Sequence, residues 1–160
     1  MNRLGELLDS PDTLIYGIGN AGREDDGLGW AFIDRLEEWP DKLGACLRRT
    51  YQLNLEDADL ISRYAQVLFV DATKDPAVES FAVSRPEPVL DFSFTSHAMS
   101  VPTILATAQQ CFERVPDAYL LAIRGYQWEL RQGLTGAAER NLDKALSVLS
   151  PRTARSPRRD

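Results

Sequence analysis

Asp26, Asp71 and His97 are the residues through which this chain can do chemistry. His97 is the only histidine, and it stands in a polar turn, Thr95-Ser96-His97, ahead of a predicted helix. Asp71 closes a continuous apolar run at residues 67–70, Val-Leu-Phe-Val. Asp26 belongs to an acidic triplet, Glu24-Asp25-Asp26, that follows a glycine-rich turn. Two carboxylates and an imidazole with open positions suit a first-row divalent cation. The imidazole binds a metal when neutral, its ordinary state near neutral pH. Each residue also has a plainer reading. Asp25 or Asp26 can cap a helix, with Asp25 the better cap and Asp26 the better ligand. Asp71 can bind nearby N–H groups in a turn. A single loop histidine is more often an ordinary polar residue. The residues alone leave the metal reading and the structural reading open.

The turn that leads to the acids contains Gly17, Gly19 and Gly22, a G-x-G-x-x-G match. In a dinucleotide site such a turn brings a pyrophosphate against the bare N–H groups of a helix start. Here Glu24, Asp25 and Asp26 crowd that place, and three carboxylates repel a diphosphate while they welcome a cation. An acid for the ribose, about 20 residues further on, has no clear candidate. Nucleotide binding is therefore a lesser alternative. Other mechanisms lack their motifs. There is no G-x-S-x-G elbow and no H-E-x-x-H helix. Cys111 with His97 could form a nucleophile pair, but Cys111 falls on the apolar stripe of its predicted helix and is expected in the core.

The elements that must position these residues follow from periodicity. A strand is expected over 13–19 and a helix over 25–39, whose Leu28, Phe32, Leu36 and Trp39 share one face before Pro40 stops it. A strand at 45–53 and a short helix at 55–66 come next. The run at 67–70 predicts a central strand buried on both faces. Residues 80–88, with two prolines, predict an edge strand. A helix over 100–112 would bury Ile104, Leu105, Ala108, Cys111 and Phe112, with Pro102 in its first turn. The last strand is expected over 117–126. Thr135 then caps a final helix with Leu142, Leu146 and Leu149 inward. Strands alternating with helices predict a single three-layer α/β/α domain with a mostly parallel twisted sheet of about five strands. Ligands in such sheets sit at the carboxyl ends of the strands, where Asp26 and Asp71 fall.

With 160 residues, one domain with a sizeable core is expected, over residues 1–150. Residues 151–160 hold Arg152, Arg155, Arg158 and Arg159 against Asp160 and two prolines, and are expected to form a basic, disordered tail. The chain carries a net charge of −6, so the first 150 residues carry −9. An acidic body argues against nucleic acid and fits cations or a basic segment of a partner. The two cysteines make neither a zinc cluster nor a disulfide framework and are expected as buried thiols. No apolar run approaches a membrane span and no signal-peptide core opens the chain, so a cytoplasmic location is expected.

In their order along the chain, Gly17-Ile18-Gly19-Asn20, Asp25-Asp26-Gly27-Leu28-Gly29, Val70-Asp71-Ala72 and Ser96-His97 resemble the hydrogenase maturation proteases. Leu121-Ala122-Ile123-Arg124-Gly125 and Gly133-Leu134-Thr135 are similar to that family too, so the likeness covers about residues 13–150. The resemblance implies an endopeptidase that removes the C-terminal extension of a nickel–iron hydrogenase large-subunit precursor after nickel insertion. It implies that Asp26, Asp71 and His97 contact the nickel of that precursor, so that the metal is supplied by the substrate rather than permanently bound. Gly19 and Asn20 would shape the cleft floor. The sequence departs from the family at Thr73-Lys74-Asp75-Pro76, where a glycine is common, and at residues 98–102, where a glycine-leucine pattern is common. Both segments are expected to border the substrate groove and to bear on which precursor is preferred. The alternative is a non-catalytic metal-sensing or chaperone module on the same fold.

Overall fold

The structure, a computed structural model, describes residues 3–90 and 99–149. His97 and the basic tail lie outside the described residues. A short helix α1 (Arg3–Leu7) leads into strand β1 (Thr13–Ile18), which is buried along its whole length. A 3-10 helix at Glu24–Gly27 follows, and helix α2 (Leu28–Glu37) begins directly from it. Strand β2 (Cys46–Thr50), helix α3 (Glu56–Ser62) and strand β3 (Gln66–Thr73) come next. Strand β4 (Phe81–Ser84), helix α4 (Val101–Phe112), strand β5 (Asp117–Arg124) and helix α5 (Gly136–Leu149) complete the described chain.

The five strands form one sheet in the order β2-β1-β3-β5-β4. All neighbours are parallel except β4, which pairs antiparallel with β5 at the edge. Alternation along the strands divides the core in two. Ile15, Leu68, Val70, Leu121 and Ile123 face α2 and α5, with Leu7 and Leu8 at the end of that layer. Leu14, Tyr16, Ile18, Val67 and Phe69 face α3 and α4. Every residue of β3 from Val67 to Val70 is fully buried, as a strand covered on both faces requires. The sheet and its two helical layers are thus the three-layer α/β/α architecture that the alternation of elements predicts. Among the described residues no helix is long and apolar enough to cross a membrane.

Two local expectations are corrected. The buried side of α4 is Val101, Ile104, Leu105 and Ala108, while Cys111 and Phe112 are exposed. The last turn of the helix, residues 109–112, is exposed on all sides, so the apolar spacing there meets no core. Cys46 is only half-buried, because β2 is the edge strand of its side of the sheet. The capping expectation for α5 holds: Thr135 Oγ1 accepts the N–H of Ala138 at 3.2 Å.

Candidate functional site

The chain passes from β1 to β2 on one side and from β2 back to β3 on the other, so the strand order reverses between β1 and β3. A crevice opens at the carboxyl ends of strands at such a point. Gly17 is paired with Val70, so the next step along each strand sets Ile18 level with Asp71. The cleft found there has a volume of about 240 Å³. Ile18, Gly19, Asp26 and Asp71 line it on the sheet side, Tyr51, Gln52 and Leu53 on the β2 side, and Met99, Ser100 and Val101 on the α4 side.

Glycines let α2 start against this point. A Cβ on Gly29 would stand 2.4 Å from the carbonyl oxygen of Ile18 and 2.5 Å from that of Val70. The helix therefore crosses β1 and β3 backbone to backbone, and the 3-10 turn before it drops Asp26 into the crevice. Gly19 has φ +144°, and a Cβ there would lie 2.0 Å from the carbonyl oxygen of Asp26. No side chain fits, which leaves the cleft floor open beside the carboxylate.

Asp26 and Asp71 thus face one space. The Asp26 carboxylate accepts the N–H of Asn20 through Oδ2 at 3.1 Å. Burial raises its pKa, against the lowering effects of the Asn20 N–H, Arg23 and Lys74. Among the described residues, the Asp71 carboxylate accepts one backbone N–H, that of Ala72 at 2.8 Å. Its pKa is pushed up to about 7, first by burial, against the Ala72 N–H, and further by the charge of Asp26. Near neutral pH the pair can therefore hold or release a proton, and a cation placed between the two carboxylates would relieve both desolvation and repulsion. The chemistry of this donor set, two oxygen anions in a partly enclosed cleft, fits a divalent ion. Among the described residues no third ligating side chain joins them. The third predicted ligand, His97, lies outside the described residues, two positions ahead of Met99 in the sequence.

Asp25 does something the sequence does not reveal. The 3-10 helix and α2 have no side-chain cap, so the expectation that Asp25 caps the helix is not met. The side chain is fully buried and points the other way. Its Oδ2 accepts the N–H of Tyr126 at 2.7 Å, the N–H of Gln127 at 3.2 Å and the hydroxyl of Thr135 at 2.9 Å, and its Oδ1 accepts the N–H of Thr135 at 2.8 Å. Glu24, also buried and at φ 47°, accepts the N–H of Glu129 at 3.0 Å. The first two acids of the triplet therefore fasten the loop between β5 and α5, and only the third faces the cleft. Their partners stand about a hundred residues away in sequence, and no local spacing signals them. Lys74, in a segment expected to border the groove, is a cation near Asp26, and its ammonium lies 5.0 Å over the Trp128 ring.

The same turn argues against a phosphate. The N–H groups of Gly19, Asn20, Arg23, Glu24, Asp25 and Asp26 all donate to backbone carbonyls, and that of Gly22 donates to Asn20 Oδ1. These are the donors a pyrophosphate would need.

No family model matches the sequence, and no curated protein does. Solved structures do resemble the fold. The hydrogenase maturating endopeptidase HybD from E. coli superposes with a TM-score of 0.69 at 22% identity, over 84% of this chain and 87% of that one. The [NiFe] hydrogenase maturation protease HycI from Thermococcus kodakarensis gives a TM-score of 0.64 at 20% identity, over 86% of this chain and 91% of that one. A hydrogenase 3 maturation protease gives 0.66 at 16% identity, over 91% and 92%. The chain therefore has the fold of the hydrogenase maturation proteases.

Proposed function

We propose that this protein is a maturation endopeptidase that removes the C-terminal extension of a nickel–iron hydrogenase large-subunit precursor once nickel is in place. The observation that carries the reading is the meeting of Asp26 and Asp71 in one cleft at the strand-order reversal, the first raised in pKa by burial and the second pushed up to about 7. The fold likeness to proteins named as hydrogenase maturation proteases supports the choice of reaction.

In this reading nickel arrives as part of the substrate. Asp26, Asp71 and His97 contact it from one side, and the precursor's own ligands complete its coordination. His97 stands two positions before Met99 in the sequence, and Met99 lines the cleft. The bound nickel polarises groups near it. The chain's residues hold the metal, and Asp71 gives up its proton as the ion enters. The precursor's extension lies along the rim formed by residues 51–53 and 99–101. The protein works in the cytoplasm, where such a precursor is matured.

The test mixes the purified protein with nickel-loaded and nickel-free precursor and follows release of the extension. Release only from the nickel-loaded form is expected. Tight association with the precursor and no release would favour the metal-sensing module instead.

A further inference from the structure

Tyr51, Gln52 and Leu53 form one wall of the cleft, and this wall is held from beneath rather than by β2 alone. Tyr16, in the middle of β1, is buried there, and its hydroxyl donates to Asp57 Oδ1. Asp57 is buried too, and its other oxygen, Oδ2, accepts the N–H of Asn54 at 2.9 Å. One residue earlier, the carbonyl oxygen of Leu53 accepts the N–H of Met99 at 3.1 Å. A hydrogen-bonded chain thus runs from β1 through α3 and the wall to the segment that follows His97 in the sequence.

Asp57 closes the first turn of α3 by taking the N–H of Asn54, while Asn54 takes the N–H of Glu56 through its Oδ1 at 3.0 Å and the N–H of Asp57 through its carbonyl at 3.0 Å. The hydroxyl of Tyr16 is not needed for that cap or for packing, since the ring alone meets Phe69 at a centroid distance of 6.5 Å. Burying that hydroxyl against the carboxylate is unfavourable unless the pair fixes something. Burial and the adjoining carboxylate push the Tyr16 pKa far above the ordinary tyrosine range, which keeps the hydroxyl a donor at every working pH.

We propose that Tyr16 and Asp57 are positioning residues for the reaction: they fix the wall at residues 51–54 and, through Leu53, the backbone of Met99 on the other side of the cleft. The inference rests on reading the cleft as the nickel-contacting site.

Tyr16→Phe removes the donor and keeps the ring. Tyr64→Phe, in the same core but beyond the far end of α3, is the control. Three readouts are taken on the full chain. Amide exchange at Asn54 and Met99 is expected to quicken roughly tenfold in Tyr16→Phe and to quicken less in the central strand β3, with the melting temperature modestly lowered because the buried Asp57 carboxylate loses a donor. The NMR signal of the sole imidazole, His97, is expected to shift in Tyr16→Phe and to stay in place in Tyr64→Phe. With nickel-loaded precursor, kcat is expected to fall roughly tenfold while KM changes little, as displaced reacting groups require. Unchanged exchange and an unmoved imidazole signal in Tyr16→Phe overturn the proposal whatever the activity. If the wild-type protein releases no extension, the proposed function fails, and the exchange and imidazole readouts still decide this inference. Should Tyr16→Phe not fold, Asp57→Asn, which keeps the shape and one acceptor, is read in the same way.

Discussion

A proton sits easily on Asp71. The carboxyl is set in the last pleat of β3, two residues before the strand ends, with the charge of Asp26 nearby and, among the described residues, one backbone donor. Its folded pKa of about 7 lies above the ordinary value of 3.8, so between those values the folded chain keeps a proton that the unfolded chain has lost. Stability from this group is full below about pH 4 and is lost as pH rises through about 7. Asp71→Asn should therefore be more stable than wild type at pH 8, by on the order of 2 kcal/mol, with the gap closing toward pH 4. Urea unfolding at both pH values checks this. Asp25 behaves in the opposite manner, as an anchor. Asp25→Ala strands four donors of the β5–α5 loop and should cost roughly 3 kcal/mol or more, read as a lowered denaturant midpoint. A sequence places both acids beside the site but does not say which is which. The distinction depends on Tyr126 and Thr135, which reach Asp25 only after the sheet has formed.

At the scale of elements, the approach of α2 to the sheet decides where Asp26 points. Gly29→Ala puts a methyl group against two backbone carbonyls that cannot move aside. It should cost about 3 kcal/mol and push α2 outward, so the variant loses both stability and any metal contact through Asp26. Denaturant unfolding and metal titration on the same preparation check the two effects together. The elements themselves are largely legible in the sequence. The unbroken run at 67–70 marks the central strand, and Leu28, Phe32 and Leu36 mark the buried side of α2 because period 3.6 is a local property. The prolines after residue 84 mark the edge strand. What periodicity does not carry is where a layer ends. Cys111 and Phe112 keep the spacing of a buried stripe yet are exposed in the last turn of α4, and the 3-10 turn at Glu24–Gly27 reads as an ordinary helix start.

For the whole molecule, topology does the gathering. Asp26 and Asp71 are 45 positions apart in sequence, and they meet because the chain reverses its strand order between β1 and β3. The candidate site was legible in part for that reason: parallel strands put their carboxyl ends together, so acids at two such ends are expected to be near each other. The hydrogen bonds that hold the walls, from Tyr16 to Met99, have no sequence signature. Asp71, its pKa pushed up to about 7, must lose its proton to take a cation. Divalent metal binding should therefore strengthen as pH rises from 6 to 8, with proton release on binding, which calorimetry in buffers of different ionisation enthalpy measures.

The central claim is that one divalent ion is shared by Asp26, Asp71 and His97. Because the chain has a single histidine, its imidazole gives one NMR signal that reports on this directly. Titration with Ni²⁺ at pH 7.5, a condition set above the Asp71 pKa of about 7, is predicted to broaden that signal in wild type and to leave it sharp at the same Ni²⁺ concentration in Asp26→Ala and in Asp71→Ala. Broadening of equal extent in all three proteins, or none in wild type, would contradict the account.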